Sequence, residues 1–216
     1  MRILVVGAGG VGGYFGGLLA QAGHSVAFLA RGAHLQAIER HGLIVHSLHG
    51  DFTLRPARFA ASPDELGTQD AVVVAVKHYD LEPAARRLTA AVGDDTRVVP
   101  LLNGVEAHRV LAERLSSGQV VGGTCSIASR IEAPGVIRQE SRLRRIAVGR
   151  LDGRSDPLLD ELVSAWRAAG VRADQSSSIE DELWAKMVFI DPFASLAALA
   201  RATAAEVRGH PATRAL

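Results

Sequence analysis

Arg2-Ile3-Leu4-Val5-Val6-Gly7-Ala8-Gly9-Gly10-Val11-Gly12 is an apolar run that passes straight into glycines. Ile3, Val5 and Val6 are β-branched, and both faces of the run are apolar, the pattern of a strand covered on two sides in a parallel sheet. Residues 11–21 then read as a helix that Gly23 stops. Gly7, Gly9 and Gly12 hold the G-x-G-x-x-G spacing between that strand and that helix, the context in which the motif carries physical meaning. The first glycine permits a tight turn, the second lets a diphosphate approach the backbone, and the third lets helix and strand pack closely. Residues Gly7, Ala8, Gly9, Gly10, Val11 and Gly12 therefore form an expected cradle for a dinucleotide, completed by free N–H groups and the positive end of the helix dipole.

The same alternation continues outward from this stretch. Residues 25–30, 71–76, 97–102 and 120–124 read as strands, and residues 35–40, 81–92, 106–115 and 157–169 as helices. Residues 43–48 and 52–54 flank Gly50-Asp51, a hairpin signal, and residues 136–139 and 145–148 are expected to pair as a second hairpin. Strands alternating with helices predict an α/β fold, a Rossmann-type parallel sheet with ligands at the carboxyl ends of its strands. After Ser176-Ser177-Ser178 the chain reads as helix from residue 179 to residue 208, with a kink or restart at Asp191-Pro192. The expected division is residues 1–175 as a dinucleotide-binding domain and residues 176–216 as the start of a short all-α domain, too small to fold without support.

Composition narrows the function classes. The chain has 216 residues, 48% hydrophobic and 22% charged, enough apolar material for a real core. Its 24 basic and 23 acidic residues leave a net charge of +1, so no field recruits nucleic acid or anionic lipid. Ala20-Gln21-Ala22 faintly resembles a signal-peptidase site, but the glycines that interrupt residues 3–20 argue against both a leader and a membrane span. With one cysteine, Cys125, no internal disulfide can form, and a cytoplasmic location is expected. The eight histidines show no metal-ligand spacing, so no metal is expected. Cys125 follows an apolar run without a base partner and reads as packing. No G-x-S-x-G elbow is present for a serine triad. The basic stretch from Arg138 to Arg150 lacks interleaved aromatics and reads as a solvated hairpin.

Four polar residues stand out at strand ends or in apolar surroundings. The second strand ends Phe28-Leu29-Ala30-Arg31, with no acid to hold a ribose 2′-OH, while Arg31 offers a cation suited to a 2′-phosphate. This favours NADP over NAD; the alternative is a solvated surface arginine. Lys77 follows the purest strand, either facing the ligand crevice or lying on the surface. Asn103 ends another strand, either orienting a carboxamide or substrate oxygen, or serving the Asn-Gly turn. Lys186 sits in Trp184-Ala185-Lys186-Met187-Val188-Phe189-Ile190, where it either snorkels, the reading the residues alone favour, or is held toward a cleft with a lowered pKa.

These pieces in this order resemble the ketopantoate reductase (2-dehydropantoate 2-reductase) family. The resemblance is carried by residues 2–12, Arg31, the strand ending in Lys77, Asn103-Gly104, Gly123-Thr124 through Ala128, and Leu183-Trp184-Ala185-Lys186. It implies an NADPH-dependent oxidoreductase that reduces a small 2-oxo acid to the 2-hydroxy acid, with ketopantoate as leading substrate and pantothenate biosynthesis as setting. It further implies that Gly7 to Gly12 hold the pyrophosphate, that Arg31 and Lys77 hold the 2′-phosphate end, and that Asn103 lies beside nicotinamide and substrate. Ala128 would touch the cofactor through its backbone, and Lys186 would donate the proton.

The chain departs from the family pattern at Ile190, Ala194 and Ala204, where asparagines are common. Ser195 is the expected partial substitute for that substrate-binding set. Family members also continue for a further helical half-domain, whereas this sequence stops at Leu216. Apolar residues such as Leu196 and Leu199 would then be exposed, so a homo-oligomer formed through the helical segment is expected. Two alternatives follow from the departures: a catalytically weak NADP-binding regulatory or sensor protein, and a related reductase of a more apolar ketoacid.

Overall fold

The computed structural model describes residues 1–55, 57–60 and 62–214; Leu216, on which the expectation of a shortened helical domain rests, lies outside them. The first sheet contains β1 (Arg2–Val6), β2 (Ser25–Leu29), β5 (Arg58–Ala60), β6 (Ala71–Val74) and β7 (Arg97–Pro100). All pairs are parallel, in the order β5-β2-β1-β6-β7. The chain runs outward from β1 through β2, then returns to the other side of β1 with β6. That reversal opens a crevice at the carboxyl ends of β1 and β6.

Period-two alternation distributes β1 between two cores. Ile3 and Val5 join Tyr14, Phe15 and Phe28 under α1 (Gly10–Gln21), while Leu4 and Val6 join Leu81, Leu88 and Leu111 on the opposite face. That second face is covered by α3 (Leu81–Arg87), a 3₁₀ turn at Leu88–Ala91, and α4 (Ala107–Ala112). A fully buried aliphatic side chain contributes about 1.5–3 kcal/mol, so a strand buried on both faces anchors the fold. The remaining helix of this half, α2 (Gly32–His41), leads from β2 toward Leu43.

Beyond the first sheet, the pairing differs from the expected second hairpin. β3 (Leu43–Ser47) and β4 (Phe52–Leu54) form the first hairpin as expected. β10 (Val136–Gln139), however, lies parallel to β3 and antiparallel to β9 (Ser129–Ala133). β11 (Arg145–Gly149) pairs instead with β8 (Gly122–Ser126) and with β12 (Arg172–Gln175), a strand the periodicity did not reveal. The reason is burial on both sides of the gap. Ile137 is buried opposite Val45 of β3, whereas Ile146 and Val148 are buried opposite Cys125 and Gly123 of β8, with α5 (Pro157–Ala168) packed into the same core, so residues 140–144 bridge two sheets rather than turn one hairpin.

The helical segment also departs from expectation. α6 (Ile179–Ala200) runs through Pro192 without a restart, and the break comes at Arg201, whose φ of 50° is left-handed. α7 (Ala204–Gly209) and α8 (Pro211–Arg214) follow. By length and composition α6 can cross a bilayer, with a mean hydropathy of 1.4 in its most apolar window, and little of it is buried.

Candidate active site

The carboxyl ends of the parallel strands line a single cleft of about 1120 Å³. β1 delivers the glycine turn, β2 delivers Arg31, β6 delivers Lys77, β7 delivers Asn103, and α6 brings Lys186 across from the other side. Of the predicted residues, Gly7, Ala8, Gly9, Gly10, Val11, Arg31, Lys77, Asn103 and Lys186 all line this cleft; Gly12, Ala128 and Ser195 do not.

The glycines divide by task. Gly7 has φ +96°, and a Cβ there would lie 2.8 Å from the Ala75 carbonyl oxygen. Gly12 touches the strand layer: its Cβ would fall 2.1 Å from the Gly7 oxygen and 3.0 Å from Val5 Cγ1. Gly10 packs against the backbone of Ser129 and Arg130. A Cβ on Gly9, by contrast, would meet nothing within 4 Å. Gly9 is also the N-cap of α1, with no side-chain cap, and the first turn carries no acid. An open backbone at an uncapped, acid-free helix start fits a dinucleotide diphosphate.

His34, which the sequence did not single out as functional, secures this turn. Its Nε2 lies 2.8 Å from the Ala8 carbonyl oxygen, and its Nδ1 accepts from the Gly135 N–H at 3.0 Å. An accepting Nδ1 requires the hydrogen on Nε2, so the ring donates to Ala8. The glycine turn is thereby tied to the β9–β10 connection. Ser129, Arg130 and Ile131 of β9 contribute a further wall of the cleft. Ala128 itself is held from behind: its N–H donates to Ser141 Oγ at 2.9 Å, and its carbonyl accepts from the Glu140 N–H at 2.8 Å.

Arg31 and Lys77 approach the same end of the cleft. Arg31 donates to both carboxylate oxygens of Asp80, at 2.8 and 2.7 Å. Its pKa is raised by the hydrogen bond and charge of Asp80. Asp80 was not legible in the sequence as a partner of Arg31 because it arrives from the turn after β6 rather than from the end of β2. Its one local signal is its position three residues after Lys77.

At the other end, Lys186 Nζ donates to Asn103 Oδ1 at 2.9 Å and to the Cys125 carbonyl oxygen at 2.5 Å. The lysine therefore does not snorkel. Burial pushes its pKa below the usual lysine value. Both partners are neutral, and Cys125 stays a thiol because burial raises it to about 11. An ammonium has three N–H donors; two are used here, and one remains. Ser195 lies on an exposed part of α6, away from this group. Phe189 and Ile190, three and four residues after Lys186, share its helical face and line the cleft.

A family model described as ketopantoate reductase PanE/ApbA matches residues 3–153. The chain belongs to the ketopantoate reductase family. Within that family of oxidoreductases, it is 33% identical over 237 residues to a 2-dehydropantoate 2-reductase of Mesorhizobium japonicum, covering 100% of this chain and 72% of that one. It is 34% identical over 201 residues to an uncharacterized oxidoreductase of Bacillus subtilis, YkpB, covering 92% of this chain but 65% of that protein. A crystal structure of 2-dehydropantoate 2-reductase from Geobacter metallireducens superposes with a TM-score of 0.93 at 30% identity, covering 99% of this chain and 70% of that one. The Rossmann-type parallel sheet followed by helices is thus the architecture of this chain, as its residue pattern implied.

Proposed function

We propose that this chain reduces a small 2-oxo acid with NADPH, and that Lys186 is the proton donor. The observation that carries the reading is the ammonium of Lys186, held by Asn103 and the Cys125 carbonyl in the same cleft as an uncapped glycine turn. The backbone of Gly7 to Gly12 would hold the diphosphate, and Arg31 with Lys77 the 2′-phosphate. When bound, a reduced nicotinamide supplies hydride to the carbonyl carbon of the substrate.

The chain's own residues then manage charge and protons. Negative charge develops on the substrate oxygen as the carbonyl is reduced. A nearby ammonium stabilises that charge and delivers a proton. Asn103 and the Cys125 carbonyl fix Nζ without neutralising it, so the charge stays available. The lowered pKa brings Lys186 closer to the operating pH, where an acid is most effective. Asn103 would also orient a carboxamide or substrate oxygen; the backbone contact expected of Ala128 has no part in this reading, because its N–H and carbonyl are bonded to Ser141 and Glu140. Activity in the cytoplasm and association through the exposed residues of α6, such as Trp184 and Leu199, belong to the same proposal.

Ketopantoate is the first substrate to test. A second reading has its own support: Phe189 and Ile190 line the cleft on the face of Lys186 and present an apolar surface there. This favours a 2-oxo acid with an apolar tail. A panel of 2-oxo acids followed by NADPH absorbance separates the readings. Ketopantoate turning over fastest supports the first, and a branched aliphatic or aryl 2-oxo acid turning over fastest supports the second. NADPH binding with no turnover of any 2-oxo acid makes the chain a binding protein and refutes both. Replacing Ile190 with asparagine is expected to shift preference toward hydroxylated tails by about tenfold, the scale of a polar group gained or lost in a pocket.

A further inference from the structure

The adenosine end of the cleft carries an unusual pairing. In dinucleotide folds an acid at the end of the second strand accepts from a free ribose 2′-OH, whereas an arginine there pairs with a 2′-phosphate; here Arg31 follows that strand and Asp80 reaches it from the turn after β6. This cleft holds both, bonded to each other. Arg31 Nη2 lies 2.8 and 2.7 Å from the two oxygens of Asp80. The Arg31 side chain is 82% exposed and Asp80 25% exposed, so the arginine is the solvent-facing partner and the acid the more enclosed one.

A 2′-phosphate arriving at Arg31 meets a guanidinium that is already bonded to a carboxylate. To grip the phosphate with both arms, the guanidinium has to leave Asp80 or be shared with it. In either case a carboxylate stands about one guanidinium width from a dianion, and like charges at that range repel. A ribose with a free 2′-OH brings no charge, and its hydroxyl can donate to the carboxylate. The acid therefore works against one coenzyme and for the other.

We propose that Asp80 is a specificity-determining residue whose carboxylate, held beside Arg31, narrows the preference of this chain for 2′-phosphorylated over non-phosphorylated nicotinamide coenzyme, so that it accepts both. The proposal rests on the reading that this cleft binds a nicotinamide dinucleotide. It goes beyond the arginine criterion, which by itself selects the phosphorylated form.

The test titrates the full chain and its Asp80→Asn variant with NADPH and NADH by nicotinamide fluorescence. Adenosine 2′,5′-bisphosphate and adenosine 5′-monophosphate, titrated by calorimetry, serve as probes without the nicotinamide. Asp80→Asn is expected to raise the ratio of NADH to NADPH dissociation constants by about tenfold, the scale of removing one like charge near a surface phosphate. Binding of the bisphosphate should tighten while that of the monophosphate does not, and the gain should shrink in high salt. Asp80→Ser should move the ratio the same way, and Arg31→Ala the opposite way. If Asp80→Asn leaves the ratio unchanged or lowers it while the parent binds NADPH, Asp80 merely orients Arg31 and the proposal is overturned alone. If the parent chain binds neither coenzyme, the proposal falls together with the reading of the cleft.

Discussion

Replacing Lys186 with methionine isolates the charge from the packing. Methionine keeps an unbranched stem of similar length against α6 and the cleft wall, but removes every N–H donor. Two of the three donors hold neutral acceptors, Asn103 Oδ1 and the Cys125 carbonyl. The third is the one assigned to the substrate oxygen. A positioned general acid contributes about 10²–10⁴-fold, or roughly 3–5 kcal/mol of barrier, and Lys186→Met should lower kcat by that factor. NADPH affinity should stay within about twofold, because the backbone N–H groups that would hold the diphosphate do not depend on Lys186. The pH profile provides an independent check. Burial lowers the pKa of Lys186, so activity that needs the ammonium should be full at low pH and fall as pH rises through a value below that of free lysine. Steady-state kinetics from pH 6 to pH 10, with coenzyme binding by fluorescence, measures both effects. Parental kcat in Lys186→Met with a 2-oxo acid that the parent reduces would refute the assignment, as would an alkaline limb that persists unchanged in the variant.

Two glycines of one motif should separate binding from folding. Gly9→Ala adds a methyl group that meets nothing in the protein, so thermal stability should hold while NADPH affinity falls by about tenfold. Gly12→Ala places a carbon 2.1 Å from the Gly7 oxygen and should destabilise the fold by about 3 kcal/mol or more in chemical denaturation. Away from the cleft, Asp156 caps α5 through the Leu158 and Leu159 N–H groups and binds Arg97 at 2.6 Å, almost wholly buried. Asp156→Ala should cost about 3–5 kcal/mol, read as a lowered denaturation midpoint. Burial is the largest single influence and works to raise the Asp156 pKa, but the hydrogen bond and charge of Arg97 together with the Leu158 and Leu159 N–H groups outweigh it, and the net shift is downward. Its contribution is therefore present above the unfolded carboxylate pKa and lost as pH falls through the lower folded value, so the gap between parent and variant should close in acid.

Much of this architecture was legible in local patterns. A two-sided apolar run, a glycine triplet and a helix start are properties of adjacent residues, and Gly7, Gly9 and Gly12 occupy the strand-to-helix turn their spacing required. Arg31, Lys77 and Asn103 were legible for the same reason: each follows a parallel strand, and the carboxyl ends of such strands converge. Pairing beyond the first sheet was not legible. Residues 136–139 and 145–148 have the alternation of a hairpin, yet each strand finds a better-buried partner elsewhere in the chain.

Sequence alone determined that a parallel sheet would present a glycine turn at a helix start, because helix, strand and turn preferences act within a few residues. Tertiary structure alone decided what surrounds that turn. Lys186 meets Asn103 across 83 residues, and Arg31 meets Asp80 across 49. No periodicity encodes such contacts; they exist because the folded chain brings distant strand ends and one helix face to the same cleft, where burial and charge then set the chemistry of each group.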